Sequence, residues 1–381
     1  MENSSIIIDN GTYRCKAGYS YDDVPRVDIP TVLGFPSSQG GENDQDQIDI
    51  FVGEEALQKG GILDLHYPIV KGEFKDLPIM ERIWKHIFHT ELVADIKSYH
   101  VVVTAAAFAK YSNKKEMAQS LFEKLNIESL YITNTSTLSL YANGKTTGIV
   151  VDIGYQTTSC VPIYEGFVLN HAVGKADMGG EELNNYFIKL INEDKENNKK
   201  QYTSTTDKAT INELKEKVCY VAEDYDSECK KSMDLYSSNS KNLEVYDLPD
   251  GSKVMLGAQK FKCPEMLFQP SLAGSSNVGI HEQAFKSIKV CDEDINRDLF
   301  LNVVLCGGSS LFSKIKPRLT KELQSLAPTG RNVNVIAPPE RKYSAWLGGA
   351  ILTSLDSFRN AMFVQRKDYL ENPDCIFNKF F

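Results

Sequence analysis

One short pattern is written twice in this chain, and it limits the folds open to it. Residues 5–18 read SIIIDNGTYRCKAG and residues 148–160 read GIVVDIGYQTTSC. Each is a run of β-branched residues, then Asp, one residue and Gly, then a polar turn. Such an apolar run predicts a buried strand, and the Gly after it lets the backbone turn tightly. Two strand–turn units, each ending in an acid, can offer turn amides to phosphates and carboxylates to a hydrated divalent metal. One copy alone would carry little weight, because strand–Asp–x–Gly turns are common and most are only structural. The repeat suggests two halves closing on one nucleotide.

The rest of the chain fits a duplicated α/β plan. At 381 residues it exceeds one ordinary core, so two domains are expected. In the first half, strands are expected at residues 6–9, 16–19, 100–104 and 130–133, and helices at 78–91, 114–125 and from 137 to 142. Residues 39–49 (QGGENDQDQID) read as a polar, acidic loop. In the second half, strands are expected at 148–151, 158–163, 167–172, 301–305 and 333–336, and helices at 181–192, 210–222, 279–287, 295–301 and 343–355. Residues 192–208 read as a surface loop with no core-forming residues, and 248–260 as a hairpin turning at Pro249, Asp250 and Gly251. Strands alternating with helices argue for α/β layers with a partly parallel sheet.

Several function classes drop out. A net charge of −9 argues against a general binder of nucleic acid or anionic membranes. No basic leader and no apolar stretch of spanning length is present, so direct membrane insertion is not expected. The eight cysteines are scattered without CxxC spacing and read as reduced thiols, not a disulfide framework or a zinc site. The sequons at Asn3, Asn10 and Asn134 then read as chance matches. The six histidines show no HExxH or HxH spacing, and there is no GxSxG elbow or Walker-type Gly-Lys-Ser/Thr.

The candidate site residues follow the turns. In the first, amides from Gly11 to Arg14 can cradle a phosphate, with the Thr12 hydroxyl and the Lys16 charge beside them and Asp9 at the strand end. A tight hairpin with a surface lysine is the plainer alternative. Asp152 and Gly154 form the second turn. A third strand–turn, VVLCGGSSLF at 303–312, places Gly307 and Gly308 where a base or ribose can approach the backbone. Glu216 can accept from ribose hydroxyls, although a neighbouring Lys215–Glu216 pair is more often a solvated helix face.

With these residues placed, the chain resembles actin over essentially its whole length. The segments IIIDNGTYRCKAGY, VGEEALQKGGIL, TLSLYANGKTTGIVVDIG, LKEKVCYVAED, FKCPEMLFQPSLAG, VVLCGGSSLF and IAPPERKYSAWLGGAILTSL stand in actin's order. The chain is identified as a divergent actin or an actin-related protein. The resemblance implies the actin fold: duplicated ribonuclease-H-like α/β halves with four subdomains around a cleft for ATP or ADP with Mg²⁺ or Ca²⁺. The implied boundaries are 1–30, 68–142 and 344–381 for subdomain 1, and 31–67 for subdomain 2. Subdomain 3 takes 143–178 and 276–343, and subdomain 4 takes 179–275. By motif, Asp9, Gly11, Thr12 and Lys16 match the first phosphate loop, and Asp152 and Gly154 the second. Gly180, Lys215, Glu216, Gly307, Gly308, Phe312 and Lys342 match the nucleoside positions, and Asp9 and Asp152 would face the metal through water.

The departures from actin matter as much. Tyr13 replaces the second Gly of the first loop. Ile153, Tyr155, Gln156 and Ser159 replace Ser, Asp, Gly and His in the second. Actin's water-positioning Gln and His fall at Thr135 and Ser159, so no catalytic residue is carried over and at most a weak ATPase is expected. Phe312 stands for Tyr, Lys71 for a modified His, and Thr104–Phe108 lacks actin's TEAP. In the 39–49 loop, Gly41, Glu42, Asn43, Asp44 and Gln45 are small, polar or acidic where actin inserts apolar residues into the next subunit, and Leu272, Ala273, Gly274 and Ser275 make a weaker plug. Self-polymerisation is therefore expected to be impaired. The partner groove keeps Tyr141, Ala142, Thr146, Leu347, Ile351, Leu352 and Leu355, although residues 347–355 could equally be core. The implied partners are actin, subunits of actin-related complexes or actin-binding proteins, in the cytoplasm and cytoskeleton, with the nucleus as the alternative. A chromatin-remodeller subunit, a conventional polymerising actin, a sugar kinase and a heat-shock chaperone are the competing readings. The last two lack, respectively, an acid poised on a substrate hydroxyl and a following peptide-binding domain.

Overall fold

The computed structural model of the chain describes residues 4–36, 50–237 and 243–380. The chain divides into two units: Met1–Thr147 with Ile163–Asn170 and Tyr343–Phe381, and Gly148–Pro162 with His171–Lys342.

The first unit is built on a six-stranded sheet in the order Val364–Gln365, Ser129–Asn134, His100–Ala105, Ser5–Asn10, Arg14–Tyr19, Val27–Pro30. Ser5–Asn10 runs parallel to His100–Ala105 and antiparallel to Arg14–Tyr19, which puts Asp9 opposite Lys16. Successive side chains of a strand point to opposite faces. The isoleucine triplet therefore splits: Ile6 and Ile8 enter a core with Trp84, Met80 and Phe122, while Ile7 joins Val102, Trp346 and Phe363. Both faces are covered, and that is why these strands read as continuous apolar runs.

The helix Leu77–His86 starts at a capping Asp76, whose carboxylate accepts from Ile79 N at 3.0 Å, with Pro78 in the first turn. The helix expected over 78–91 ends as an α-helix at His86 and continues as a wide π turn, Ile87–Glu91. The helix expected over 114–125 does the same: Tyr111–Gln119 is α and Ser120–Lys124 is π. Asn134 caps the helix Thr135–Tyr141, accepting from Thr137 N at 2.7 Å. The helix Ser344–Ser354 packs on it so closely that a Cβ on Gly348 would overlap the Leu138 carbonyl. A small sheet of Leu33–Pro36, Phe51–Val52 and Leu63–His66 lies near the helix Glu54–Gln58, and Ile69–Val70 pairs with Glu73–Phe74 in a two-stranded sheet. The expected acidic loop at 39–49 lies outside the described residues, as do residues 238–242.

The second unit's sheet has Thr158–Tyr164 beside Gly148–Ile153, then Val303–Cys306 and Val335–Ile336, with Gly174–Ala176 antiparallel on Thr158–Tyr164. Gly148–Ile153 and Val303–Cys306 are parallel, so Asp152 and Cys306 reach the same carboxyl-terminal edge. The helices Gly180–Glu193, Thr205–Val218, Gln259–Glu265, Ile280–Val290 and Ile315–Leu326 belong to this unit. Arg318 joins two of them: its guanidinium makes a fork with the fully buried Glu265 at 2.8 and 2.9 Å and donates to the Ala222 carbonyl at 2.7 Å. Bidentate geometry and a third acceptor are what make so buried a charge pair tolerable.

Three expectations fail here. Residues 167–172 are not one strand: Phe167–Val168 is extended and Asn170–Ala172 is a 3-10 turn. Residues 192–208 do contribute to the core. Tyr202 is 2% exposed, and buried Asn198 exchanges hydrogen bonds with the Met255 backbone at 2.8 and 2.9 Å. The hairpin expected over 248–260 does turn at Pro249, Asp250 and Gly251, but its bounds are wrong: its strands are Glu244–Asp247 and Lys253–Leu256, and the helix Gln259–Glu265 follows.

Candidate functional site

In the first unit the sequence pattern becomes a hairpin whose turn is wired by side chains. Asp9, next to last in its strand, is 5% exposed. Its Oδ2 receives Lys16 Nζ at 3.1 Å and its Oδ1 receives the Thr104 hydroxyl at 2.9 Å. Thr104 Oγ1 also accepts from Asn10 N at 2.9 Å, and Asn10 Oδ1 accepts from the Trp84 indole at 3.0 Å. Burial pulls the Lys16 pKa down, but the Asp9 charge and hydrogen bond outweigh it, with help from Asp28, so the value ends above the usual 10.5. Lys16 is therefore an ammonium held beneath the turn: a Cβ on Gly11 would lie 3.4 Å from Nζ and would collide with the Arg14 carbonyl. Thr31 Oγ1 donates to the Gly11 carbonyl at 2.7 Å, and Thr12 Oγ1 accepts from Gly72 N at 3.3 Å. Next to the turn Arg14 pairs with Asp28 at 2.6 Å and Glu54 at 2.9 Å.

The second unit builds its turn from backbone. Gly154 N donates to the Thr157 carbonyl at 2.9 Å and closes the loop. The carbonyls of Gly154 and Tyr155 then accept from Gly180 N and Glu181 N at 3.0 and 2.8 Å, capping the helix Gly180–Glu193. Gln156 Nε2 donates to Glu181 at 2.9 Å. Gly307 has φ +88, and a Cβ there would collide with Asp152 Oδ1 and the Ile153 carbonyl. Only glycine fits that corner. Gly308 has open space where its Cβ would be. Gly180 faces the Ser309 hydroxyl, 2.7 Å from an added Cβ, and the Tyr155 ring, 3.2 Å from it.

The nucleoside-position residues have mixed surroundings. Lys215 is not on a solvated helix face, as its pairing with Glu216 suggested; it is 3% exposed, with its ammonium on the Gly180 carbonyl, Asn184 Oδ1 and Asn212 Oδ1. Burial lowers its pKa. Glu216 is exposed and accepts from Asn212 Nδ2 at 3.0 Å. Phe312 is buried, which leaves little of its ring for stacking, and Lys342 is half-buried. Thr135 is half-buried at the start of its helix, and Ser159 is buried in its strand.

The groove candidates all belong to the first unit. On Ser344–Ser354, Gly348, Gly349, Ala350 and Thr353 are buried, Leu347 and Leu352 are half-buried, and Ile351 is exposed; Leu355, just beyond, is exposed too. Tyr141 and Ala142 are half-buried and Thr146 is exposed. The helix thus divides between a core face and an open apolar face, so neither reading of 347–355 takes all of it.

Sequence reasoning missed Thr104, Thr31, Asn184 and Asn212. Asn212 had a readable signal: it is a polar residue beside Ile211 on the buried stripe of an amphipathic helix, three residues before Lys215. Thr104 had none, since its role comes from strand pairing across the sheet.

In the first turn the Lys16 ammonium, paired with Asp9, lies beneath Gly11, whose Cβ position faces the Arg14 carbonyl. A metal clasped directly by several side chains does not fit: among the described residues no group of three or more His, Cys, Asp or Glu comes together. A Mg²⁺ that keeps most of its water needs only phosphate and a carboxylate or two from the protein, and Asp9 in the first unit and Asp152 in the second are each a carboxylate near the end of a strand. Among the described residues no helix is long and apolar enough to cross a membrane. Compared with protein-family models, the chain matches the one described as Actin over residues 1–381.

Proposed function

The chain belongs to the actin family, and on that basis we propose that it is a nucleotide-binding structural subunit of a cytoskeletal or actin-related assembly that turns over ATP weakly or not at all and polymerises poorly by itself. Actin-family proteins generally bind a nucleotide with a divalent cation and interact with other proteins. In this reading Asp9, Gly11, Thr12 and Lys16 serve the phosphates from the first unit, and Asp152 and Gly154 from the second. Gly180, Lys215, Glu216, Gly307, Gly308, Phe312 and Lys342 surround the nucleoside, and the chain keeps the four-subdomain division set out above. Bound Mg²⁺ or Ca²⁺ would screen phosphate charge, with Asp9 and Asp152 ordering its water.

The observation that carries the reading is the state of the second loop. Its Gly154–Thr157 closure and its capping of the Gly180 helix are both present, which supports binding. Its side chains have changed: Gln156 is tied to Glu181 and the Tyr155 ring lies near Gly180. Neither supplies a carboxylate, and the hydroxyls of Thr135 and Ser159 do not reproduce the reach of a Gln and a His. Weakened aiming of a water costs orders of magnitude in rate. Partners would dock on the apolar face at Ile351 and Leu355.

The test is to purify the full chain, denature it, and identify the released nucleotide, then follow phosphate release under polymerising conditions. ATP retained without phosphate release is expected. Phosphate release in step with filament growth would refute the weak-turnover reading, and nucleotide-free protein would refute the binding reading.

A further inference from the structure

We propose that residues 19–26 and 92–99 of the first unit form a docking site for an extended, proline-rich peptide in the polyproline-II conformation, with a basic residue beside its Pro-x-x-Pro. The site uses none of the residues assigned above to the nucleotide or to the partner groove.

Three tyrosines meet here although they come from two separate segments. Tyr21 stacks on Tyr19 with ring centres 5.2 Å apart and planes 6° from parallel, and Tyr99 leans on Tyr19 at 5.2 Å. Tyr19 is 5% exposed and anchors the group, its hydroxyl donating to the Leu92 carbonyl at 3.1 Å. Arg26 braces the rings: its guanidinium lies 4.8 Å from the Tyr19 centre and 5.5 Å from the Tyr21 centre, and it forks onto Asp22 through two bonds of 2.8 Å. The rings are thus fixed before any ligand arrives, which lowers the cost of binding one. Yet Tyr21 is 56% exposed, Val24 58% and Val93 79%. Val93 is a second, independent sign. Among the described residues it is the one β-branched side chain at positive φ, +49. L-residues avoid that region, and a side chain branched at Cβ avoids it most. Here the strain holds an apolar side chain out in water, and such outliers gather at functional sites.

The occupant follows from spacing and charge. Both outer rings lie 5.2 Å from Tyr19, so the Tyr21 and Tyr99 centres are at most about 10 Å apart. A polyproline-II helix advances about 3.1 Å per residue with three residues per turn, so prolines three apart share one face at a separation of about 9 Å. Aromatic rings within that span are what a Pro-x-x-Pro segment docks on. A helical partner fits worse. Along 92–97 the exposed residues are Val93, Asp95 and Lys97, and they alternate with buried Leu92, Ala94 and Ile96. That leaves no continuous apolar trough for the face of an amphipathic helix. The Arg26 charge is taken up by Asp22. Asp23, between Tyr21 and Val24 in the chain, is exposed and among the described residues pairs with no cation. Lys97 is exposed two residues before Tyr99. A basic residue of the peptide therefore belongs at the Asp23 end and not at the Tyr99 end.

Fluorescence anisotropy of a short labelled peptide on the full chain tests the site. The probe carries an Arg beside Pro-x-x-Pro. One control peptide replaces both prolines by Ala, a second replaces the Arg by Glu, and a third is a basic amphipathic helix. Wild type should bind the probe about ten-fold more tightly than the Ala control and about three-fold more tightly than the Glu control. Tyr21→Ala should weaken the probe about ten-fold, the scale of an aromatic anchor. Asp23→Asn should erase the preference for Arg over Glu and keep the preference for proline. Val93→Gly should weaken the probe about three-fold without lowering the melting temperature, because glycine accepts the positive φ. That pairing separates a docking residue from a folding one. Unchanged probe binding in Tyr21→Ala or Val93→Gly overturns the proposal, and so does tighter binding of the helical peptide. Equal binding of the probe and its Ala control to wild type overturns it as well, and leaves the nucleotide-binding reading standing.

Discussion

The first turn is held by side-chain charge, and the second by backbone and the stereochemistry of glycine. In the first, Asp9, Lys16 and Thr104 share hydrogen bonds across three neighbouring strands. In the second, the carbonyls of Gly154 and Tyr155 meet the amides of a helix start, and Gly307 bends in a conformation that side chains avoid. The two segments share the strand–Asp–x–Gly pattern, but where the first has Lys16 the second has Ser159, and Thr104 comes from a neighbouring strand. One consequence is that they should fail under different insults. Loss of charge should damage the first, and an added methyl should damage the second.

The sharpest separation comes from Gly307→Ala. The new Cβ would collide with Asp152 Oδ1 and the Ile153 carbonyl at φ +88. A loss of about 4 kcal/mol is expected, from steric overlap added to backbone strain. Denaturant unfolding of the variant measures it, and a change below about 1 kcal/mol would show that the corner can relax and that the second turn is not held by glycine geometry.

Lys16→Met comes next. It leaves Asp9, 7% exposed at its side chain, with a buried negative charge that has lost its partner. Breaking such a pair should cost about 3 kcal/mol. The pH profile adds a second reading. Because the folded Lys16 pKa is raised above 10.5, the pair contributes fully below that value and is lost as pH climbs through the folded pKa. The gap between wild type and variant should stay constant up to pH 10.5 and close above it. A gap that instead closed on acidification toward neutrality would show that Lys16 stands in the fold as a neutral amine.

Gln156→Gly tests whether the altered side chain of the second loop holds anything. It removes one half-exposed bond to Glu181, and about 1 kcal/mol should be lost in thermal unfolding. The smallest effect should come from Gly308→Ala. Nothing lies within 4 Å of its added Cβ, so stability should stay within about 0.5 kcal/mol of wild type. Set beside Gly307→Ala, it asks whether adjacent glycines differ as widely as their surroundings imply.

Much of the scaffold was legible in the sequence because burial on both faces writes continuous apolar runs. Residues 6–8, 101–103 and 149–151 could hardly be anything but inner strands, and all three are. The Asp–x–Gly turns were legible because a strand that ends in an acid and a glycine has few ways to continue. What was hidden depended on partners distant in sequence. Tyr202 and Asn198 looked like members of a polar loop, but burial follows from what packs over a residue, and here Met255 and Asn192 supply backbone and side-chain contacts. Lys215 looked solvated because a Lys-Glu pair usually is. Its burial depends on Asn184, 31 residues away, and on the Gly180 carbonyl, 35 away. Strand 167–172 failed for a local reason: the β-like residues end at Val168, and the chain needs a 3-10 turn before Gly174–Ala176 can pair.

The two wide turns at Ile87–Glu91 and Ser120–Lys124 have a bearing on how the chain can change in length. A π turn is an α-helix with one surplus residue looped into it. Removing one residue from such a turn would restore ordinary helical winding while leaving the flanking segments in nearly the same orientation, because the wide turn fits about one more residue into the same revolution. Ser120 and Lys124 bracket one of these turns, and both reach Glu81, each at 2.8 Å. That carboxylate thus clasps both ends of the wide turn, and a chain without the surplus residue would bring its two donors from four to three positions apart, still on one helix face.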